Sequence, residues 1–213
     1  LLTEKGLKVA PFKIGPDFID TSHYERVCNT KGRNLDSYMM SEEFICWNLS
    51  EALKDRDVAV IEGVMGLFDG YGEEAKGSTA ELAKLLKLPV IIIIDAKGMS
   101  QSILPIIHGL VNWDKSVSIM GVILNRVNSE KHYYFLKERI EKLGVKCFGY
   151  ISTIPELNVA ERHLGLHMGY EQDNKIEAGL TKVQKFLDEK RLLQLIEHSV
   201  KKIEPKTFEH SCG

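Results

Sequence analysis

The run Pro89-Val90-Ile91-Ile92-Ile93-Ile94-Asp95 decides the fold class. Its β-branched residues follow one another without polar alternation and stop at an aspartate. The run is therefore a strand buried on both faces, as in parallel sheets. Outward from it, Leu7 to Lys13, Val58 to Glu62, Ser118 to Asn125 and Val145 to Ile151 are short apolar runs of the same kind, bounded by Gly, Pro or Asp. Amphipathic stretches lie between them. Leu82, Leu85 and Leu86 recur at helical spacing behind Ser78, with Glu81 completing a capping box, and Tyr133, Leu136 and Ile140 do likewise behind Ser129. Ser41 to Leu53 and Ser100 to Trp113 also predict helices, Pro105 being close enough to the start of the second to be tolerated. Strand then helix, repeated, predicts an α/β fold: a mostly parallel sheet with helices on both faces. From Asn174 onward the stripe Ile176, Leu180, Val183, Leu187, Leu192, Leu195 and Ile196 predicts one long helix or a helix pair on the sheet's flank.

Composition narrows the function. The 213 residues suffice for one sizeable core, so a single domain over 1–200 is expected, with 201–213 a polar tail or linker. Twenty-eight Lys and Arg stand against 30 Asp and Glu, a formal charge of −2, and no basic cluster offers a phosphate-backbone footprint. Nucleic acid is not expected as a partner. The longest apolar run is Val90 to Ile94, far below the roughly 18 residues of a membrane span, and no signal peptide precedes it. The expectation is a cytoplasmic chain with no membrane partner. Cys28, Cys46, Cys147 and Cys212 are scattered without a Cys-x-x-Cys, which points to structural thiols in place of disulfides or zinc. The opening Leu1-Leu2-Thr3-Glu4-Lys5-Gly6 has no Met and reads as entry partway through a helix, an N-terminally truncated domain.

In an open parallel sheet, ligands bind beyond the carboxyl ends of the strands. The residues that follow four of the predicted strands are Lys13, Asp17 and Asp20; Glu62 and Asp69; Asp95 and Lys97; and Asn125 and Arg126. Solvated turns explain any one Asp-Gly or Gly-Pro pair, but not the conjunction. Asp17, Glu62 and Asp20 or Asp69 on one rim would repel one another unless a hard cation or a bound base sat between them, and Mg²⁺ fits that description. Lys13 would offer phosphate a point charge, although alone it reads as a solvated lysine at a strand end. Two glycine-rich imitations fail. Gly70 to Ala75 carries the letters of a dinucleotide fingerprint but puts glutamates where pyrophosphate would lie, and Gly72 to Thr79 lacks the lysine of a phosphate loop. His163 and His167 are four apart with Gly165 between them, a structural pair more than a metal site, and Ser100 and Ser102 have no nucleophile elbow.

Together, Val9 to Asp20 (VAPFKIGPDFID), Asn34 to Met40 (NLDSYMM), Val60 to Gly70 (VIEGVMGLFDG), Asp95 to Ser102 and Glu161 to Leu166 (ERHLGL) resemble the synthetase domain of the cobyrinate a,c-diamide synthase family. The resemblance implies a P-loop NTPase-like fold of the dethiobiotin-synthetase kind, with the phosphate loop ahead of the segment matching Leu1. It also implies ATP-dependent amidation of the a and c carboxylates of a tetrapyrrole through acyl phosphates. Ammonia would come from glutamine, hydrolysed in a glutaminase domain that follows the segment matching Gly213. Carried over residue by residue, Asp17 and Glu62 match Mg²⁺ or phosphate-site ligands, Asp20 a second acid at the phosphorylated intermediate, and Lys13 a phosphate contact. Asp69, with Tyr71, matches positions that handle the substrate, and Asn125 resembles the adenine-reading Asn. Arg162 and His163 match a motif whose role the residues do not reveal. A relative acting on nickel sirohydrochlorin shares these motifs, and the oligomeric state stays open, a homo-oligomer included. A nucleotide switch of the ParA/MinD kind or a silent scaffold would have no use for so many acids on one rim.

Overall fold

The computed structural model describes residues 1–17, 19–73, 75–154 and 175–199. Within them are six strands and seven α-helices: β1 Val9–Ile14, α1 Ile19–Cys28, β2 Arg33–Leu35, α2 Glu42–Leu53, β3 Val58–Glu62, α3 Thr79–Leu85, β4 Val90–Asp95, α4 Ile103–Trp113, β5 Ile119–Val127, α5 Glu130–Lys142, β6 Lys146–Ser152, α6 Lys175–Gln184 and α7 Glu189–Ser199. Every strand pairing among them is parallel, so the fold class is α/β, as predicted. The described residues fall into two compact units, Leu1–Leu86 and the part from Lys87 onward.

In the first unit the strand order is β2-β1-β3. All six residues of β1 are buried, which requires cover on both faces of the middle strand. Pro11, a residue rare in central strands, is accommodated because the ladder to β2 begins only at Phe12. Phe12, Ile14, Leu35, Ile45, Leu49 and Leu82 form the core, each contributing about 1.5–3 kcal/mol of hydrophobic stabilisation. Ser41 caps α2 by accepting the Phe44 amide. Ser78 caps α3 by accepting from Glu81, but the expected capping box is only half formed. The Glu81 carboxylate turns one residue upstream to the Gly77 amide and also receives the Ser37 hydroxyl, so it does not close on Ser78.

The second unit has the order β4-β5-β6. Its core is Ile94, Ile103, Ile107, Val122, Leu124, Leu136, Ile140 and Cys147. Ser129 caps α5 through the His132 amide, and the Asn174 stripe resolves into a helix pair, α6 and α7. The helix expected from Ser100 starts at Ile103, which leaves Pro105 inside the first turn. The expectation that each apolar run is buried on both faces holds for β1 and for Cys147 to Tyr150 of β6, but not for β3 or β4. Val60 of β3 is 45% exposed and Ile93 of β4 is 62% exposed, so each of these strands leaves one face of its run uncovered. Neither β2 nor α1 follows from apolar patterning. The opening hexapeptide forms a short 3-10 turn, Thr3–Lys5, ended by a left-handed Gly6. The ERHLGL motif and the tail 201–213 lie outside the described residues. So do Phe18, Glu74, His163 and His167.

Candidate functional site

Register builds the site. Lys13 of β1 lies opposite Glu62 of β3 on one side and Asn34 of β2 on the other. Residues in register on neighbouring parallel strands point to the same face, so Asn34, Lys13 and Glu62 form a row across the carboxyl ends of this sheet. The Lys13 side chain is only 9% exposed; its Nζ donates to Glu62 Oε1 at 3.0 Å and lies 2.8 Å from Asp20 Oδ2. Burial by itself would lower the Lys13 pKa. Hydrogen bonds to Asp20 and Glu62 and their negative charge outweigh it and hold the ammonium above its ordinary 10.5. The solvated strand-end lysine expected from sequence is therefore corrected: Lys13 is the cation that lets two acids share a rim. Among the described residues no group of three or more His, Cys, Asp and Glu is arranged to hold a metal ion.

The segment after β1 supplies the other acids. Gly15, at φ +86°, turns the chain in a conformation that an L side chain rarely adopts, while its amide bonds to Leu35. Asp17 Oδ1 then accepts the amides of Ile19, at 2.8 Å, and Asp20, at 3.0 Å, and so starts α1. One turn on, Tyr24 lies four residues past Asp20, on the same helix face. Its hydroxyl donates to Glu62 Oε2, the oxygen that Lys13 leaves. Burial pushes the Tyr24 phenol well above its ordinary range, and the bond to Glu62 and the charges of Glu62, Asp20 and Asp17 add to the effect, so it stays a donor. Sequence reasoning missed Tyr24. The spacing Asp17, Asp20, Tyr24 would have revealed it had α1 been read as a helix. Asn34 was likewise overlooked as a site residue; its Oδ1 is buried without a hydrogen-bond partner.

The remaining candidates are not joined to this cluster by any hydrogen bond or ion pair described for them. Asp69 Oδ2 accepts the Gly66 amide at 2.9 Å within its own turn, which leaves the residue exposed. Tyr71 is 73% exposed and meets Tyr38 edge-on at 5.7 Å between ring centroids, with Lys76 Nζ 5.9 Å from the Tyr38 ring. Tyr71 and Lys76 exchange backbone hydrogen bonds, so the glycine-rich imitation is a small antiparallel turn. In the second unit Asn125 Oδ1 accepts the Arg126 amide at 2.9 Å, which leaves the carboxamide NH₂ and one oxygen lone pair for a partner. Arg126 makes a two-point pair with Asp95, its Nε 2.8 Å from Oδ1, and Asp95 also accepts the Lys97 amide. The Arg126 hydrogen bond holds Asp95 below its ordinary range. Cys28, Cys46 and Cys147 carry free thiols, and burial pushes Cys147 up, as expected of a structural cysteine.

Residues 1–166 match the CbiA family, described as the CobQ/CobB/MinD/ParA nucleotide binding domain. The chain belongs to this family. It is 42% identical over 195 residues to a cobyrinate a,c-diamide synthase of Caldanaerobacter subterraneus subsp. tengcongensis, covering 90% of this chain and 43% of that protein. A hydrogenobyrinate a,c-diamide synthase of Streptomyces coelicolor is 42% identical over 166 residues, 78% of this chain and 34% of that protein. A cobyrinate a,c-diamide synthase of Dehalococcoides mccartyi is 40% identical over 199 residues, 91% of this chain and 43% of that protein. The chain thus spans about two fifths or less of the length of these relatives. It is a nucleotide-binding domain, and no described helix is long and apolar enough to cross a membrane.

Proposed function

We propose that the complete gene product amidates the a and c side-chain carboxylates of cobyrinate, using ATP and ammonia released from glutamine in a glutaminase domain. The observation that carries this reading is the Lys13, Asp20, Glu62 and Tyr24 cluster at the carboxyl ends of adjoining parallel strands, in a nucleotide-binding domain. The relatives' names favour a corrinoid ring over nickel sirohydrochlorin as the substrate.

A carboxylate resists ammonia because oxide is a poor leaving group; phosphorylation by ATP converts it to an acyl phosphate, from which ammonia displaces phosphate. Such transfer depends on positioning and neutralised charge more than on covalent help. In this reading Lys13 offers positive charge toward phosphate oxygens, and Asp20, held beside Lys13, is the second acid at the phosphorylated intermediate. Asp17 and Glu62 supply hard oxygens, and the unpartnered Asn34 Oδ1 adds a third in the same row as Lys13. One or two carboxylates with water and phosphate are the donor set Mg²⁺ takes, so these residues fit that ion. When bound, Mg²⁺ would neutralise charge on the transferring phosphoryl group. Asp69 and Tyr71 would face the tetrapyrrole, and the carboxamide of Asn125 keeps the donor and acceptor that an adenine edge takes.

The test is incubation of the complete gene product with ATP, Mg²⁺ and glutamine or ammonia, and cobyrinate or nickel sirohydrochlorin in parallel. Each amidation exchanges a hydroxyl for an amino group, so two successive mass steps on cobyrinate are expected. Folded protein that modifies neither compound would sink the reading; steps on nickel sirohydrochlorin alone would reassign the substrate.

A further inference from the structure

The two oxygens of Glu62 are held by different elements. Lys13, from the adjoining strand, takes Oε1, and Tyr24, from α1, takes Oε2. A carboxylate with one donor can swing about its last torsion; a second donor on the other oxygen fixes its plane. The ring that carries this hydroxyl is itself seated by backbone. A Cβ placed on Gly32 would lie 3.1 Å from Tyr24 Cδ2 and 3.0 Å from Thr21 Cβ, so the chain entering β2 closes against the tyrosine because residue 32 has no side chain. Lys13 also meets Asp20, four residues before Tyr24 on α1, so the helix that carries the tyrosine and the strand that carries the lysine both close on Glu62.

We propose that Tyr24 is a positioning residue for Glu62, its hydroxyl fixing the carboxylate in the orientation that the amidation site uses and Gly32 keeping the ring in place. The inference rests on the amidation reading above and deepens it. A hydroxyl that only filled space would be dispensable. One that orients Glu62 affects the chemical step and leaves tetrapyrrole binding alone, because Glu62 is assigned to the phosphate side of the site.

The test uses the complete gene product with Tyr24→Phe, Tyr24→Ala and Gly32→Ala, assayed with ammonia to bypass glutamine hydrolysis. Tyr24→Phe keeps the ring and removes one hydrogen bond to a charged acceptor; kcat is expected to fall about tenfold with KM for the tetrapyrrole within about twofold. Gly32→Ala keeps the hydroxyl but displaces the ring and is expected to lower kcat in the same direction. Tyr24→Phe at the wild-type kcat, with only Tyr24→Ala slow, would show that ring packing is all that matters and overturn the proposal. Should Gly32→Ala fail to fold, the phenylalanine variant still decides. A cycle of Tyr24→Phe, Glu62→Gln and the double variant, read as melting temperature, checks the contact without activity; non-additive shifts are expected, and additive ones would overturn it. If the unaltered protein amidates no tetrapyrrole, the parent reading falls, and the cycle still reports whether Tyr24 holds Glu62.

Discussion

Replacing Lys13 with Met removes the cation from between two acids while keeping a side chain of similar length in its buried slot. Removing one partner of a fully buried ion pair costs about 3–5 kcal/mol, and an exposed pair is worth at most about 1 kcal/mol. Here the lysine is 9% exposed, but Asp20 is 31% and Glu62 is 53% exposed, so water relieves much of the stranded charge. An intermediate loss of about 2 kcal/mol is expected, which lowers the melting temperature of a domain this size by about 4–8 °C. The dependence on conditions follows from the same geometry. Because the Lys13 pKa is raised on folding, its contribution is complete below the ordinary 10.5 and is lost as pH climbs through the raised value. The gap between wild type and Lys13→Met should therefore be flat from neutral pH to about 10 and close above it. Glu62→Gln in the variant background removes half of the stranded pair and should recover part of the loss, as should added salt. Thermal melts followed by far-UV circular dichroism at several pH values suffice. A shift below about 1 °C at neutral pH would mean that Asp20 and Glu62 do not depend on Lys13, and the account of the cluster would be wrong.

Glu62→Gln is expected to abolish ammonia-dependent amidation while moving the melting temperature by little, because a half-exposed carboxylate contributes at most about 1 kcal/mol of packing and pairing; retained turnover would remove Glu62 from the site. Asp17 has two separable roles. Asp17→Asn keeps an oxygen for the Ile19 and Asp20 amides and should preserve stability, whereas Asp17→Ala should cost about 1 kcal/mol; equal melting temperatures would refute the cap. Arg126 adopts φ +55°, a left-handed conformation costly for a residue with a Cβ, and its pair with Asp95 is about half exposed on both sides. Arg126→Gly should therefore be neutral or stabilising by up to about 1 kcal/mol, and a loss of more than that in a denaturant titration would show that the ion pair matters. Finally, since Lys13 already bridges Asp20 and Glu62 and offsets one of their two charges, stripping divalent ions with a chelator in the absence of ATP should leave the melting temperature unchanged. A drop of several degrees would reveal an ion bound to the free protein.

The strands that sequence made plain are those built on a continuous apolar run that ends at a charged residue. Val90–Asp95 and Val58–Glu62 lie where the runs put them, and the boundary at Pro89 moves by one residue because β4 first pairs with β5 at Val90. The elements left unread carry no such pattern. Of Arg33-Asn34-Leu35 only Leu35 is buried, so β2 has no periodicity to detect and exists because β1 offers it a ladder over three residues. Helix α1 buries none of its residues fully; Asp17 at its start and packing beside β1, not an apolar stripe, make it a helix. That one gap also hid a site residue, since Tyr24 joins the acids only if residues 19 to 28 are helical.

Legibility of the site has a similar physical limit. The acids were visible because a parallel α/β sheet sends the ends of its strands to one edge, and a residue just past a strand can be named without knowing the register. What lies between those acids was not visible. Lys13 and Glu62 are 49 residues apart in sequence, and nothing in either segment says that they stand opposite one another; only the pairing of β1 with β3 does. Electrostatics in the sequence thus posed the right question, which cation lets these carboxylates converge, and proposed an ion from solution. In the first unit the fold meets that need with its own ammonium, so the cluster is organised before any ligand arrives. An enzyme that must bind a phosphoryl donor and a carboxylate together gains from such an arrangement: the acids need not wait for a metal to bring them together, and Glu62, its two oxygens gripped from opposite sides, meets the incoming charge already aligned.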